Sequence, residues 1–266
     1  MQPITSIKNP TIKKVLALGK KRGRNVHGQF LVEGIREIEM ALESGLLPDE
    51  VMFNTHWTAD NLTAFQERLQ DAKQYELDDL VFEKISYRDS VANAVAVFPL
   101  FETSLDKLSL RENALVLILE AIEKPGNMGA IFRTADAAGV DAIIISNANT
   151  DFYNPNVIRA SLGTIFSVPF AIASNDETLD YLNKQDYNIY STYLAGSVSH
   201  FDVDMSLNTA LVMGSEALGI TDFWVDNATT CIKIPMQGKA DSMNVSTAAA
   251  VVVYEAIRQR KSGRLA

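Results

Sequence analysis

The sequence predicts an α/β fold in two parts: a small α/β domain over residues 1–98, a linker at 99–111, and a larger domain over 112–266 built on a mostly parallel sheet. Three observations predict it. A length of 266 residues suits one large domain or two ordinary ones. The second part carries short, unbroken apolar runs at 114–122, 142–146, 167–172, 188–193, 210–213 and 231–234, as strands buried on both faces require. Helical segments fall between several of them, at 130–138, 157–164 and 178–184.

The first part alternates in the same way. Asn9-Pro10 reads as an N-cap with proline at the first helical position, followed by Ile12, Val15 and Leu16 at helical spacing. Residues 20–28 read as a basic, glycine-containing loop and 30–32 as a short strand. Over 33–44, Ile35, Ile38, Ala41 and Leu42 share one face of an amphipathic helix. A strand at 50–53, a helix at 61–73 and a strand at 91–98 complete this part. The final helix, 247–258, is rich in Ala and Val on nearly all sides, so burial is expected.

Composition narrows the function. Hydrophobic residues are 47% and charged residues 21%, values of a soluble globular chain. No apolar run is long enough for a membrane span, and residues 1–9 carry no apolar signal core. A single cysteine, Cys231, excludes an internal disulfide and a cysteine-based metal cage, and His27, His56 and His200 are too scattered to pair as ligands. A reduced, cytoplasmic, metal-free protein is the expectation. The net charge is −9, yet eight of the first 36 residues are Lys or Arg against one acid, Glu33. Such a patch can release counterions from a phosphate backbone even on an anionic protein; a solvated face explains it equally well. RNA contacts are expected from Lys13, Lys20, Lys21, Arg22, Arg24 and Arg36.

Three loops after strands carry candidate chemistry. The first runs Lys124-Pro125-Gly126-Asn127-Met128-Gly129 and leads to Arg133; its glycines sit at a strand-to-helix turn, where N–H groups are free for an anion. The second, Gly214-Ser215-Glu216-Ala217-Leu218-Gly219, sets a carboxylate between glycines, which helix capping explains as well as function does. The third runs from Ile234-Pro235-Met236 to Ser242-Met243-Asn244-Val245-Ser246, where capping of the last helix accounts for one polar residue but not three.

In this order, and with Tyr153-Asn154-Pro155-Asn156-Val157-Ile158-Arg159-Ala160-Ser161-Leu162-Gly163 between them, the loops resemble the motifs of the SpoU (TrmH) methyltransferase family of the SPOUT superfamily, over about 114–257. Phe30-Leu31-Val32-Glu33-Gly34 resembles the RNA-binding domain that precedes the catalytic domain in ribosomal-RNA members. Lys124 departs from the family's usual Asp, and Met243 from its usual Leu. The resemblance implies a trefoil knot in the sheet domain and a homodimer with the last helix at its interface. It implies S-adenosylmethionine bound by Met213, Gly214, Gly219, Ile234, Met236 and Met243. It assigns catalysis to Arg133, with Asn127, Glu216, Ser242 and Asn244 orienting the reactants. The reaction implied is methylation of a ribose 2′-hydroxyl in RNA, 23S-type rRNA ahead of tRNA. A catalytically silent RNA-binding protein of this fold is the rival; the lack of GxGxxG and GxxxxGK[ST] speaks against a nucleotide-dependent enzyme.

Overall fold

The computed structural model describes residues 1–55, 65–69, 71–87, 93–148, 151–195, 197–215 and 218–262. The chain divides into two compact units, Met1–Phe101 with Asp151–Ser167, and Glu102–Thr150 with Val168–Ala266.

The first unit holds a five-stranded mixed sheet, built from β1 (Gln2–Ile4), β2 (Gln29–Glu33), β3 (Glu50–Asn54), β4 (Lys73–Leu77) and β5 (Ala94–Pro99). The order is β1-β4-β3-β5-β2; β1, β4 and β3 run parallel, while β5 is antiparallel to both β3 and β2. Helix α1 (Pro10–Leu18) begins as its sequence requires: the Asn9 side chain accepts the N–H of Thr11 at 2.8 Å, and Pro10 is the first helical residue. It buries Ile12, Val15 and Leu18 against Leu31, Met52, Leu77 and Val95.

Two expectations for this unit are corrected. Residues 20–28 are a helix, α2 (Lys21–His27), closed by Gly28 in the left-handed conformation at φ 63°. Lys and Arg favour helix, and Gly23 serves close approach rather than a turn: a Cβ there would lie 1.9 Å from the Ala17 carbonyl oxygen. The expected 61–73 helix falls partly outside the described residues; 65–67 are helical, but Lys73 opens β4. Helices α3 (Ile35–Glu43) and α4 (Asp79–Ile85) complete the unit together with α6 (Pro155–Ser161). The sequence division places 151–167 in the second part, whereas these residues join the first unit. Tyr153 and Phe166 pack at a tilt against Phe30 at centroid distances of 4.9 and 6.1 Å, and Asp151 pairs with Arg24.

The second unit holds a seven-stranded sheet in which every pairing is parallel. Its strands are β6 (Leu115–Glu120), β7 (Ala142–Ser146), β8 (Phe170–Ala173), β9 (Asn188–Thr192), β10 (Val198–Ser199), β11 (Thr209–Met213) and β12 (Thr230–Lys233), in the order β10-β12-β9-β11-β6-β7-β8. Their apolar runs are buried throughout β6, β7 and β11, which is why the sequence shows them unbroken. Helices α5 (Pro125–Ala138), α7 (Asn175–Asn183), α8 (Asp222–Asp226) and α9 (Val245–Ser262) accompany the sheet, and α9 packs on α5. Helix α5 starts five residues ahead of the expected boundary, so Gly126, Asn127 and Gly129 form its first turns instead of a loop. Proline at its first position, with no N–H to lose, sets that start. Helix α9 is less enclosed than expected, since Tyr254 is half exposed. Because all seven strands are parallel, their carboxyl ends lie on one side, and the loops after β6, β9, β11 and β12 converge there.

Candidate active site

Those loops, with α9, enclose a cavity of about 610 Å³, a size suited to a cofactor. Met213, Gly214, Gly219, Ile234, Met236 and Met243 all line it, as do Ser242 and Asn244. The loop after β11 is folded tightly on itself. Ser215 N–H donates to the Gly219 carbonyl at 2.9 Å, and Gly219 N–H donates back to Ser215 at 3.0 Å. A Cβ on Gly214 would meet the Gly219 carbonyl carbon at 2.2 Å and the Ile220 nitrogen at 2.3 Å, so only glycine fits. Gly219 takes φ 72°, again a glycine conformation. From α9, Val245, Ala248 and Val252 supply an apolar wall.

Asn244 ties the loop after β12 to the first turn of α5, 117 residues away in sequence. Its Nδ2 donates to Asn127 Oδ1 at 3.1 Å, while its Oδ1 accepts from Ser246 N–H at 3.0 Å and its carbonyl accepts from Ala248 N–H at 2.9 Å. It is therefore the cap of α9 and at the same time the tie to α5. Ser246 uses its hydroxyl on Asn244, at 2.6 Å, and Ser242 donates to Asp241 at 3.1 Å, so capping claims one of the three polar residues and leaves Ser242 at the cavity. Arg133 is exposed on α5, outside the cavity lining, and among the described residues its guanidinium has no hydrogen bond or ion pair. Glu216 lies outside the described residues.

Sequence reasoning missed part of the wall. Thr192, Tyr193 and Leu194 after β9, and Leu218 and Ile220 after β11, line the cavity. Leu218 sits inside the second motif and Ile220 just after it, while the residues after β9 carry neither glycine nor a motif; for them the available signal was that β9 is a parallel strand whose carboxyl end faces the same side. Lys124 lines it too. Among the cations expected to meet RNA, Lys13, Lys20, Lys21, Arg22 and Arg36 are exposed, and Arg24 is not. Arg24 is 3% exposed, with Nε 3.1 Å from Asp151 Oδ2 and Nη1 2.7 Å from the Leu18 carbonyl oxygen. The RNA-binding role expected of Arg24 is corrected accordingly: its donors are used inside the fold. Among the described residues no cluster of three or more His, Cys, Asp or Glu could hold a metal, and no helix is long and apolar enough to cross a membrane.

A parallel α/β sheet with a partly apolar cavity at its carboxyl end, tight around Gly214, has the build of a cofactor site. The SpoU rRNA methylase family matches residues 114–254, and the MRM3-like substrate binding domain matches residues 9–96. The chain belongs to the SpoU rRNA methylase family, and is an RNA 2′-O-methyltransferase that uses S-adenosylmethionine. It is 33% identical to the 23S rRNA (uridine(2479)-2′-O)-methyltransferase of Streptomyces viridochromogenes, over 94% of this chain and 89% of that one. With the 23S rRNA (guanosine(2553)-2′-O)-methyltransferase of Bacillus subtilis it shares 29% identity, over 96% and 98% of the two chains. The AdoMet-bound rRNA methyltransferase of Sinorhizobium meliloti superimposes with a TM-score of 0.89 at 28% identity, covering 97% of each chain.

The cavity fits that cofactor. Gly214 has no room for a side chain, so its main chain faces the cavity, and the methionines, Ile234 and Leu194 offer apolar contact to an adenine and to the methylenes beside a sulfonium.

Proposed function

We propose that this protein methylates the 2′-hydroxyl of one ribose in 23S-type ribosomal RNA. The observation that carries the proposal is the cavity, which gathers all the expected cofactor residues and places Asn244 in contact with Asn127 of α5, the helix that bears Arg133. The substrate assignment is supported by the relatives named for 23S rRNA and by the substrate-binding match over residues 9–96.

The bound cofactor supplies a methyl group on a sulfonium centre, so the protein's task is chiefly alignment. Gly214, Gly219, Ile234, Met236 and Met243 hold the donor, and Ser242 and Asn244 lie at the same cavity. A guanidinium offers donors and no acceptor, so Arg133 is assigned to holding charge and not to removing a proton. It holds the phosphate beside the target ribose and stabilises the oxygen as its proton passes to that phosphate and the methyl group arrives. Glu216 joins the orienting set by its motif position. Lys13, Lys20, Lys21, Arg22 and Arg36 draw in the RNA backbone.

The working form is a homodimer in the cytoplasm, with α9 at the interface and Arg133 of one protomer serving the cavity of its partner. The absence of Arg133 from the cavity lining supports this arrangement. The sheet domain is threaded as a trefoil knot, a reading supported by a strand order in which β9 lies between β11 and β12. Labelled S-adenosylmethionine offered with unmodified rRNA and with tRNA tests the function. Label on the 2′-oxygen of rRNA, lost in Arg133→Ala, is the expected result. Label on tRNA alone would overturn the substrate assignment, and label on neither would overturn the function. Mixing Arg133→Ala with Asn244→Ala tests the shared site: activity returns only if the two residues act across protomers.

A further inference from the structure

Behind the cavity wall lies a buried polar network that the reaction as described does not use. Glu120, the last residue of β6, is 1% exposed. Its Oε1 accepts from Asn175 Nδ2 at 2.9 Å and from Thr221 Oγ1 at 2.7 Å, and its Oε2 accepts from Thr221 N–H at 2.8 Å. Among the described residues it has no ion-pair partner. Asn175 Oδ1 accepts in turn from Trp224 Nε1 at 3.1 Å and from the Ser146 hydroxyl.

A buried carboxylate without a cation is a costly choice unless donors hold it. Two of the three donors here belong to one residue, Thr221, and grip it by both backbone and side chain. Thr221 directly follows Gly219 and Ile220, which line the cofactor cavity. Leu119 is registered with Met213, so the strand ends that carry Glu120 and Gly214 lie side by side. Gly214 is thus held by β11 on one side of the cavity wall, and Gly219 and Ile220 by Glu120 on the other.

We infer that Glu120 is a positioning residue for the methyl donor: through Thr221 it holds Gly219 and Ile220 where they line the cofactor cavity. The inference rests on the assignment of this cavity to S-adenosylmethionine. It explains why a charge stands here: a glutamine would offer one acceptor oxygen where three bonds are made.

The test uses the full chain, with S-adenosylhomocysteine as calorimetric probe and methylation of an rRNA fragment as the second readout. Glu120→Gln is expected to bind the probe about tenfold more weakly and to raise KM for S-adenosylmethionine in step, with kcat at saturating donor near wild type. Thr221→Val, which keeps the N–H and loses the hydroxyl, should weaken binding by about threefold, and Thr221→Ser should restore it. Wild-type affinity in both Glu120→Gln and Thr221→Val would overturn the inference, as would a fall in kcat with KM unchanged. If Glu120→Gln does not fold, the Thr221 pair decides alone. Wild-type protein that fails to bind the probe would sink the cavity assignment itself, a result distinct from binding that ignores the two substitutions.

Discussion

Replacing Gly214 by alanine tests whether the loop after β11 is shaped for the cofactor. The new Cβ would stand 2.2 to 2.4 Å from backbone atoms of Gly219 and Ile220, which no side-chain rotation can relieve. Ordinary contact requires the two strands of the loop to part by about 1 Å, which stretches N···O separations beyond ~3.5 Å and out of hydrogen-bonding range. The bonds at risk are the reciprocal pair between Ser215 and Gly219, now 2.9 and 3.0 Å. At about 0.5–1.5 kcal/mol each, their loss amounts to roughly 1–3 kcal/mol. Charged to binding, that is about a 5- to 150-fold weaker affinity for S-adenosylhomocysteine, read by titration calorimetry. Gly126→Ala is the control. An added Cβ there meets nothing within 4 Å and sits in the first turn of α5, so affinity should hold and stability should stay level or rise slightly. Gly214→Ala with wild-type affinity and thermal midpoint would refute the reasoning, because it would mean the loop opens freely.

The remaining expectations concern the two units separately. Arg24→Met should cost about 3 kcal/mol in urea unfolding, since Asp151 loses its cation, whereas Lys21→Ala should leave stability alone and lower the salt slope of RNA binding by ~0.7–0.9 per lost phosphate contact. Unchanged stability in Arg24→Met would return that residue to the RNA-contact set. Gly23→Ala should destabilise the first unit, because its Cβ would strike the Ala17 carbonyl group; a thermal midpoint equal to wild type would contradict the tight seating of α2 on α1. Burial first, then Tyr181 and Asp141, push the Tyr187 hydroxyl up to about 12, against a weaker lowering by Arg260. Between about pH 10 and that value the unfolded chain loses a proton that the folded protein keeps, so stability falls as pH rises through the window. The same fall in Tyr187→Phe, followed by urea midpoints, would show that another group is responsible.

The sequence was most legible where one physical demand acted alone. Residues 142–146 form β7 as read, because an Ile-rich run buried on both faces has no competing interpretation. The residues expected to hold the cofactor were reached through their loops, and each lines the cavity. Reading failed where one residue type serves two purposes. Gly23 looked like a chain breaker but allows two helices to touch. Arg24 looked like its basic neighbours, and its burial depends on Asp151, 127 residues away. Strand β4, Lys73–Leu77, is hidden because only Tyr75 and Leu77 turn inward. The Glu120 network joins four segments of the chain, so no local pattern announces it.

The place of α9 in the chain bears on when the protein becomes competent. Val245, Ala248 and Val252 close the cavity, yet Met213 and Gly214, which open it, are made some forty residues earlier. At a synthesis rate of about 5–20 residues per second, the ribosome takes roughly 2–8 seconds to travel from one wall to the other. During that interval the sheet can assemble while the donor has nowhere to settle. A chain cut short before residue 245 lacks that wall and is expected to bind no methyl donor, so cofactor loading waits on the last stretch of synthesis.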